Sequence, residues 1–224
     1  VIRKQLYGPS LWYKSYPIAQ GSRQSPIDII STQAIFDPSL KPLSISYGSD
    51  SSLGISNNGH SVMVDFKDVD DKTAISGGPL ENPYRLKQFH FHWGTSQKSG
   101  SEHTINGKSF PCELHLVHWN AKKYTTFGEA VAAPDGLAVI GVFLEVRASN
   151  VKLPRLDTPW FLGTTQSKVP NALSSYFSHS SAQSMGVHKR NMSKCLSGIL
   201  GTLTSKSHSR HLEKKGVIMT PLPF

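Results

Sequence analysis

Hydrophobic and polar positions alternate in three short runs. Ser61-Val62-Met63-Val64-Asp65-Phe66 puts its apolar residues on every second position. Gln88-Phe89-His90-Phe91-His92-Trp93 alternates cleanly, and Glu113-Leu114-His115-Leu116-Val117-His118-Trp119 follows the same rule. A period of two is that of a β-strand with one face toward a core. Leu137 to Val146 is instead almost continuously apolar, the pattern of a strand buried on both faces. Turn signals separate these runs: Gly21-Ser22, Asn58-Gly59, Gly77-Gly78-Pro79, Asn82-Pro83, Asn106-Gly107 and Pro134-Asp135-Gly136. Tyr124 to Ala133 predicts a short helix. The pattern as a whole predicts a mainly β domain with irregular connections.

The texture changes after Val146. Residues 147–224 contain 13 serines and show no sustained periodicity. Asn171 to Tyr176 and Ser193 to Leu203 are weakly helical in pattern, without convincing caps. Charge divides at the same place. Residues 1–146 hold 13 Lys+Arg against 13 Asp+Glu, whereas residues 147–224 hold 11 against 2 and so carry the whole net charge of +9. The chain therefore reads as a domain over 1–146 and an unrelated basic Ser/Lys-rich tail over 147–224, disordered or aberrantly translated. Val146-Arg147 can be encoded by a splice-donor-like sequence, and sequencing the transcript across codons 140–150 distinguishes translated intron from ordinary exon. A basic tail can bind nucleic acid, but no nucleic-acid motif accompanies this one, so no nucleic-acid partner is expected.

No run of eighteen or more apolar residues exists, so no transmembrane helix and no membrane partner are expected. Val1 to Leu6 lacks the long apolar stretch of a signal peptide, and without a starting Met the chain reads as a fragment. Two cysteines, Cys112 and Cys195, form no disulfide framework and read as reduced thiols of a cytoplasmic protein.

Strand alternation places Gln88, His90 and His92 on one face and Phe89, Phe91 and Trp93 on the other. Glu113, His115 and Val117 share a face by the same rule. If these strands are antiparallel neighbours, as the Asn106-Gly107 turn predicts, the third imidazole meets the first two. Three neutral imidazoles with an open fourth position make a catalytic zinc site. Gln88 and Glu113 are placed to hold the second nitrogens of the ligand rings. A bare His-x-His is weak evidence for a metal, and His103 and His118 read as ordinary satisfied histidines.

Longer motifs add to this spacing. Gln24-Ser25-Pro26-Ile27-Asp28-Ile29, Asn57-Asn58-Gly59-His60-Ser61 and Gly77-Gly78-Pro79-Leu80 with Tyr84-Arg85-Leu86 resemble segments of the α-class carbonic anhydrases. So do Gln88 to Gly94, Gly100 to Thr104, Glu113 to Asn120 and Asp135 to Val139. The resemblance runs from about Tyr7 to Val146 and is to the cytosolic vertebrate isozymes. It implies a large, twisted, mostly antiparallel central sheet with zinc at the base of a conical cleft. It implies zinc on His90, His92 and His115, and His60 as proton shuttle. Histidine suits that role because its ordinary titration range spans neutrality. It implies Glu102 as a buried acceptor orienting a threonine hydroxyl beside the metal, and Val117 and Val139 as the apolar wall for carbon dioxide. Met63 is expected to line the cleft. The activity implied is reversible hydration of carbon dioxide to bicarbonate by a monomeric zinc enzyme sensitive to sulfonamides.

Two departures qualify this. Val1 to Tyr7 does not match the family's aromatic N-terminal segment. After Val146 no family motif is recognisable, and the threonine partner of Glu102 and the asparagine supporting the second zinc histidine are missing with it. The sheet is therefore expected to be incomplete. The alternative function is a catalytically inactive carbonic-anhydrase-like protein or fragment that still binds zinc.

Overall fold

The computed structural model describes residues 8–144, apart from residues 50 and 97. The tail at 147–224, its weakly helical stretches, Cys195 and the Val1–Tyr7 segment lie outside the described residues.

Three short 3-10 turns at Pro9–Lys14, Pro17–Gln20 and Ser31–Gln33 surround β1 (Asp28–Ile29). Then come β2 (Lys41–Ser46), β3 (Ser52–Asn57), β4 (Val62–Phe66), β5 (Ala74–Gly78), β6 (Leu80–Trp93) and β7 (Thr104–Ile105). The last elements are β8 (Cys112–Trp119), α1 (Phe127–Val131) and β9 (Leu137–Leu144). Seven strands form one antiparallel sheet around β6. The first half of β6 pairs with β5 and its second half with β4, on one edge. Its other edge pairs with β8, which pairs in turn with β9. No helix of the described residues is long and apolar enough to cross a membrane.

The alternating runs become strands with the predicted faces. Val62, Val64 and Phe66 join Phe89, Phe91 and Leu116 in the main core, with Trp93 packed against it. Phe91 is 2% exposed, and burying such a ring stabilises the fold by about 1.5–3 kcal/mol. β9 is buried on both faces, as its continuous apolar run predicts. Ala138, Ile140, Val142 and Leu144 enter the main core, while Leu137 and Val139 join Val117, Trp119 and Ala130 in a second cluster. α1 sits within the predicted helical stretch, and a capping box of Thr126 and Glu129 fixes its start.

One expectation needs correction. Asn106 and Gly107 do form a turn, with φ of 50° and 74°, the left-handed region Asn and Gly tolerate best. That turn does not join the two histidine strands as a tight hairpin. It closes an excursion in which β7 pairs in parallel with β1, forming a separate two-stranded sheet. Asp28 holds it there by accepting from the Thr104 hydroxyl at 2.7 Å and from the Gly107 N–H at 2.9 Å.

A second feature has no clear signal in the sequence. The pairing of β6 with β8 slips by one residue between Leu86 and Gln88. This bulge at Lys87 keeps Tyr84 and Leu86 on the same side as Phe89 and Phe91, although their spacing is odd. Without it, half of β6 would turn its core residues toward the imidazoles.

His118 is a satisfied core histidine, as expected. It is fully buried, its Nε2 accepts from the Tyr47 hydroxyl at 2.7 Å and its Nδ1–H donates to the Ala138 carbonyl at 3.2 Å. Burial lowers its pKa to about 4. The folded protein therefore binds fewer protons there than the unfolded chain, and stability falls as pH drops from about 6.5 toward 4. The expected loss at this one group is about 3 kcal/mol. Urea unfolding across that range should show a shallower acid limb for His118→Phe than for the parent chain; parallel limbs would contradict the assignment.

Candidate metal centre

The register of β6 and β8 builds the site. His90 stands directly opposite His115, His92 opposite Glu113, and Gln88 opposite Val117. The face that carries Gln88, His90 and His92 therefore meets the one that carries Glu113, His115 and Val117. His90 Nε2 lies 3.1 Å from His92 Nε2, and the ring centroids of His92 and His115 are 4.6 Å apart. One ligand nitrogen from each of the three rings falls within 4.8 Å of the others.

Each of two rings is oriented by its second nitrogen. His90 Nδ1–H donates to Gln88 Oε1 at 2.9 Å, which leaves Nε2 with its lone pair toward His92. His115 Nε2–H donates to Glu113 Oε1 at 2.7 Å, which leaves the Nδ1 lone pair to face the other rings. Burial and the neighbouring imidazoles lower His90 to about 4. Burial, then His115, lowers His92 to about 4 as well. Both of these lowered rings are neutral at physiological pH and able to donate lone pairs.

Zinc fits this arrangement. Two Zn–N bonds at a tetrahedral angle separate the donor atoms by about 3.3 Å, close to the 3.1 Å between His90 and His92 Nε2. The residues that would hold it are His90, His92 and His115.

Glu113 is the anchor beneath the site. It is fully buried and accepts four hydrogen bonds. His115 and His103 ring N–H groups donate to Oε1, each at 2.7 Å. The backbone N–H groups of Glu102 and His103 donate to Oε2 at 2.8 and 2.9 Å. All acceptor positions of the carboxylate are filled. Burial by itself would raise its pKa, but the bond from His115, then those from His103, outweigh this and hold it at about 2. His103 is thus more than an ordinary satisfied histidine, since it shares the carboxylate that orients His115. Its place in the chain carried no such signal, because the partner lies on another element. Gly141 carried none for the same reason. It stands opposite His115 in β9, and an added Cβ would lie 3.2 Å from Glu113 Oε1.

Glu102 departs from expectation. It is not buried; its side chain is 39% exposed, with its carboxylate 3.4 Å from His92 Nδ1 and 3.9 Å from His115 Nδ1. A carboxylate sealed away without a donor would cost several kcal/mol, and this one keeps contact with solvent instead. Partial burial raises its pKa, and His115 works against that rise.

The remaining expected residues lie on neighbouring strands and in one turn. Val117 and Val139 are cross-strand partners, both buried, in the second apolar cluster. Met63 is half-buried opposite His90 on β4. His60 is exposed in the turn after β3, its N–H donating to Asn58 Oδ1 at 2.9 Å.

Comparison with known proteins identifies the family. The family model for eukaryotic-type carbonic anhydrase matches residues 7–159. The motifs recognisable in the sequence end at Val146, and the matched range runs past it. Human carbonic anhydrase 7 is 68% identical over 155 residues, which covers 69% of this chain and 59% of that protein. Mouse carbonic anhydrase 7 gives the same identity and the same coverage. The chain thus spans 59% of the length of these curated relatives. With the motifs, the strand register and the matched range in agreement, the chain belongs to the eukaryotic-type carbonic anhydrase family.

Proposed function

We propose that this chain carries the site for zinc-dependent, reversible hydration of carbon dioxide to bicarbonate and a proton. The observation that carries the proposal is the convergence of three imidazoles, His90, His92 and His115, on one position. The relatives' names support the same reading.

Zinc held there would supply Lewis acidity, lowering the pKa of a coordinated water to about 7. The protein's own groups do the rest. Gln88 and Glu113 hold the tautomers of His90 and His115, so that lone pairs rather than N–H groups face the metal. Val117 and Val139 offer an apolar surface suited to carbon dioxide, which has no net dipole. His60, exposed to solvent, is the group assigned to pass the proton to buffer. Glu102 presents its carboxylate at the rim of the metal position. Bicarbonate as product, aromatic sulfonamides as inhibitors, and a cytoplasmic monomer belong to the same proposal.

One observation favours a second reading, zinc binding without turnover. Glu102 is expected to act on a threonine hydroxyl, yet it is 39% exposed and turned toward the imidazoles. Stopped-flow hydration of carbon dioxide by the purified chain with added zinc separates the two. Sulfonamide-sensitive hydration well above a zinc-only blank is the expected result for the enzyme. Blank-level rates in a chain that holds zinc tightly would establish the non-catalytic form.

A further inference from the structure

We propose that Ser25 is a second reactive centre of this protein, a nucleophile for acyl transfer from small activated esters, with His103 as its base and Glu113 orienting that base. The metal centre gives the Gln24-Ser25-Pro26 motif no task. The chemistry proposed for it needs no metal.

Three side chains from three segments form one hydrogen-bonded line. Ser25 Oγ lies 3.3 Å from His103 Nε2, and His103 Nδ1 lies 2.7 Å from Glu113 Oε1. Glu113 is ionised and accepts at both oxygens, two of its bonds coming from the backbone N–H groups of Glu102 and His103. His103 Nδ1 is therefore the protonated nitrogen, and Nε2 keeps a lone pair. The Ser25 hydroxyl donates to that lone pair. Hydroxyl, neutral imidazole and buried carboxylate stand in the order of a serine–histidine–carboxylate triad. The 3.3 Å step is long, as in many triads without a bound substrate. Glu113 holds both the ring and the main chain of His103, so the imidazole has little freedom to turn away from Ser25.

The parallel pairing of β1 with β7 brings the serine to this ring. Asp28 stands opposite Thr104, and the Thr104 N–H donates to the Ile27 carbonyl at 3.3 Å. The segment before β1 is thereby laid against the residue before β7, which is His103. Ser25 is half-buried between exposed neighbours, Gln24 and Pro26, whereas His103 is 5% exposed. The base is sealed from water while the serine reaches the surface. In the reaction, Oγ attacks the ester carbonyl carbon as its proton passes to His103 Nε2. The alcohol oxygen leaves with the electron pair of the broken C–O bond and takes that proton. Water, activated by the same nitrogen, then hydrolyses the acyl-serine, releasing the carboxylic acid and restoring Ser25.

The test labels the full chain with a fluorophosphonate and follows each serine over time by peptide mapping. The probe forms a phosphorus–oxygen bond to serine as fluoride leaves with the hydroxyl proton, and the adduct persists. Ser22, exposed and three residues earlier, is the internal reference. Ser25 is expected to react about 10²–10⁴-fold faster than Ser22, the usual contribution of a positioned base. In His103→Gln it is expected to fall to the Ser22 rate. In Ser25→Ala the fast reaction should disappear while Ser22 reacts as before. Equal rates at Ser25 and Ser22 in the parent chain overturn the proposal, whether or not the His103 variant folds. Fast labelling of Ser25 that survives in His103→Gln also overturns it, because the base would then not be this imidazole.

Discussion

Replacing Glu113 with alanine is expected to destabilise the protein by about 3–5 kcal/mol, the usual cost of removing one partner from a buried charged network. Four donors converge on that one carboxylate: two imidazole N–H groups and two backbone N–H groups. All would lose their acceptor at once in a region closed to water. His103 and Glu113 are 5% and 0% exposed, so solvent cannot take over. The loss should also reach the metal site, because His115 would lose the bond that fixes its tautomer. A further weakening of zinc binding by about 10–100-fold is expected. Denaturant unfolding of metal-free protein measures the first effect, and chelator competition measures the second. A stability change below about 1 kcal/mol, the worth of one ordinary hydrogen bond, would mean that the network is not what anchors β8 to the loop before it.

His90→Ala is expected to behave in the opposite way. Structural zinc sites bind with roughly 10–16 kcal/mol, so one of a handful of ligands carries about 3–4 kcal/mol. Zinc affinity should therefore fall by roughly 10²–10³-fold. Metal-free stability should hardly change, within about 1 kcal/mol. His90 is only half-buried, and its one side-chain acceptor, Gln88 Oε1, belongs to a half-buried residue too. Its lowered pKa shows that the site tolerates the ring in its neutral form and gains nothing from its charge. Zinc binding at parental strength by His90→Ala would remove this histidine from the ligand set and, with it, the proposed chemistry. Taken together, the two variants separate a residue that holds the fold from one that holds the metal.

Much of the site is legible in the amino-acid pattern. Gln88 to Trp93 and Glu113 to Trp119 announce their faces through a period of two, which is a local property of the strand backbone. That period alone places Phe89 and Phe91 in the core and His90, His92 and His115 opposite them. It also places Gln88 and Glu113 within reach of the rings two positions later, because side chains i and i+2 stand side by side on one face. Strand β9 announces its double burial by having almost no polar positions.

What the chain alone leaves open depends on contacts between distant segments. The bulge at Lys87 shows in the sequence only as a missed beat between Leu86 and Phe89; pairing with β8 reveals which residue absorbs it. The Asn106-Gly107 turn is legible as a turn, but its partner is β1, some seventy-five residues earlier, and not the neighbouring strand. His103 looks ordinary because its acceptor lies across a loop, and Gly141 because the space it preserves belongs to Glu113. Glu102 is expected to be buried and is partly exposed. Local pattern encodes which way a side chain points along its own strand. Register, loop return and the supply of hydrogen-bond partners are set by the sheet as a whole, and those decide how the three histidines are held.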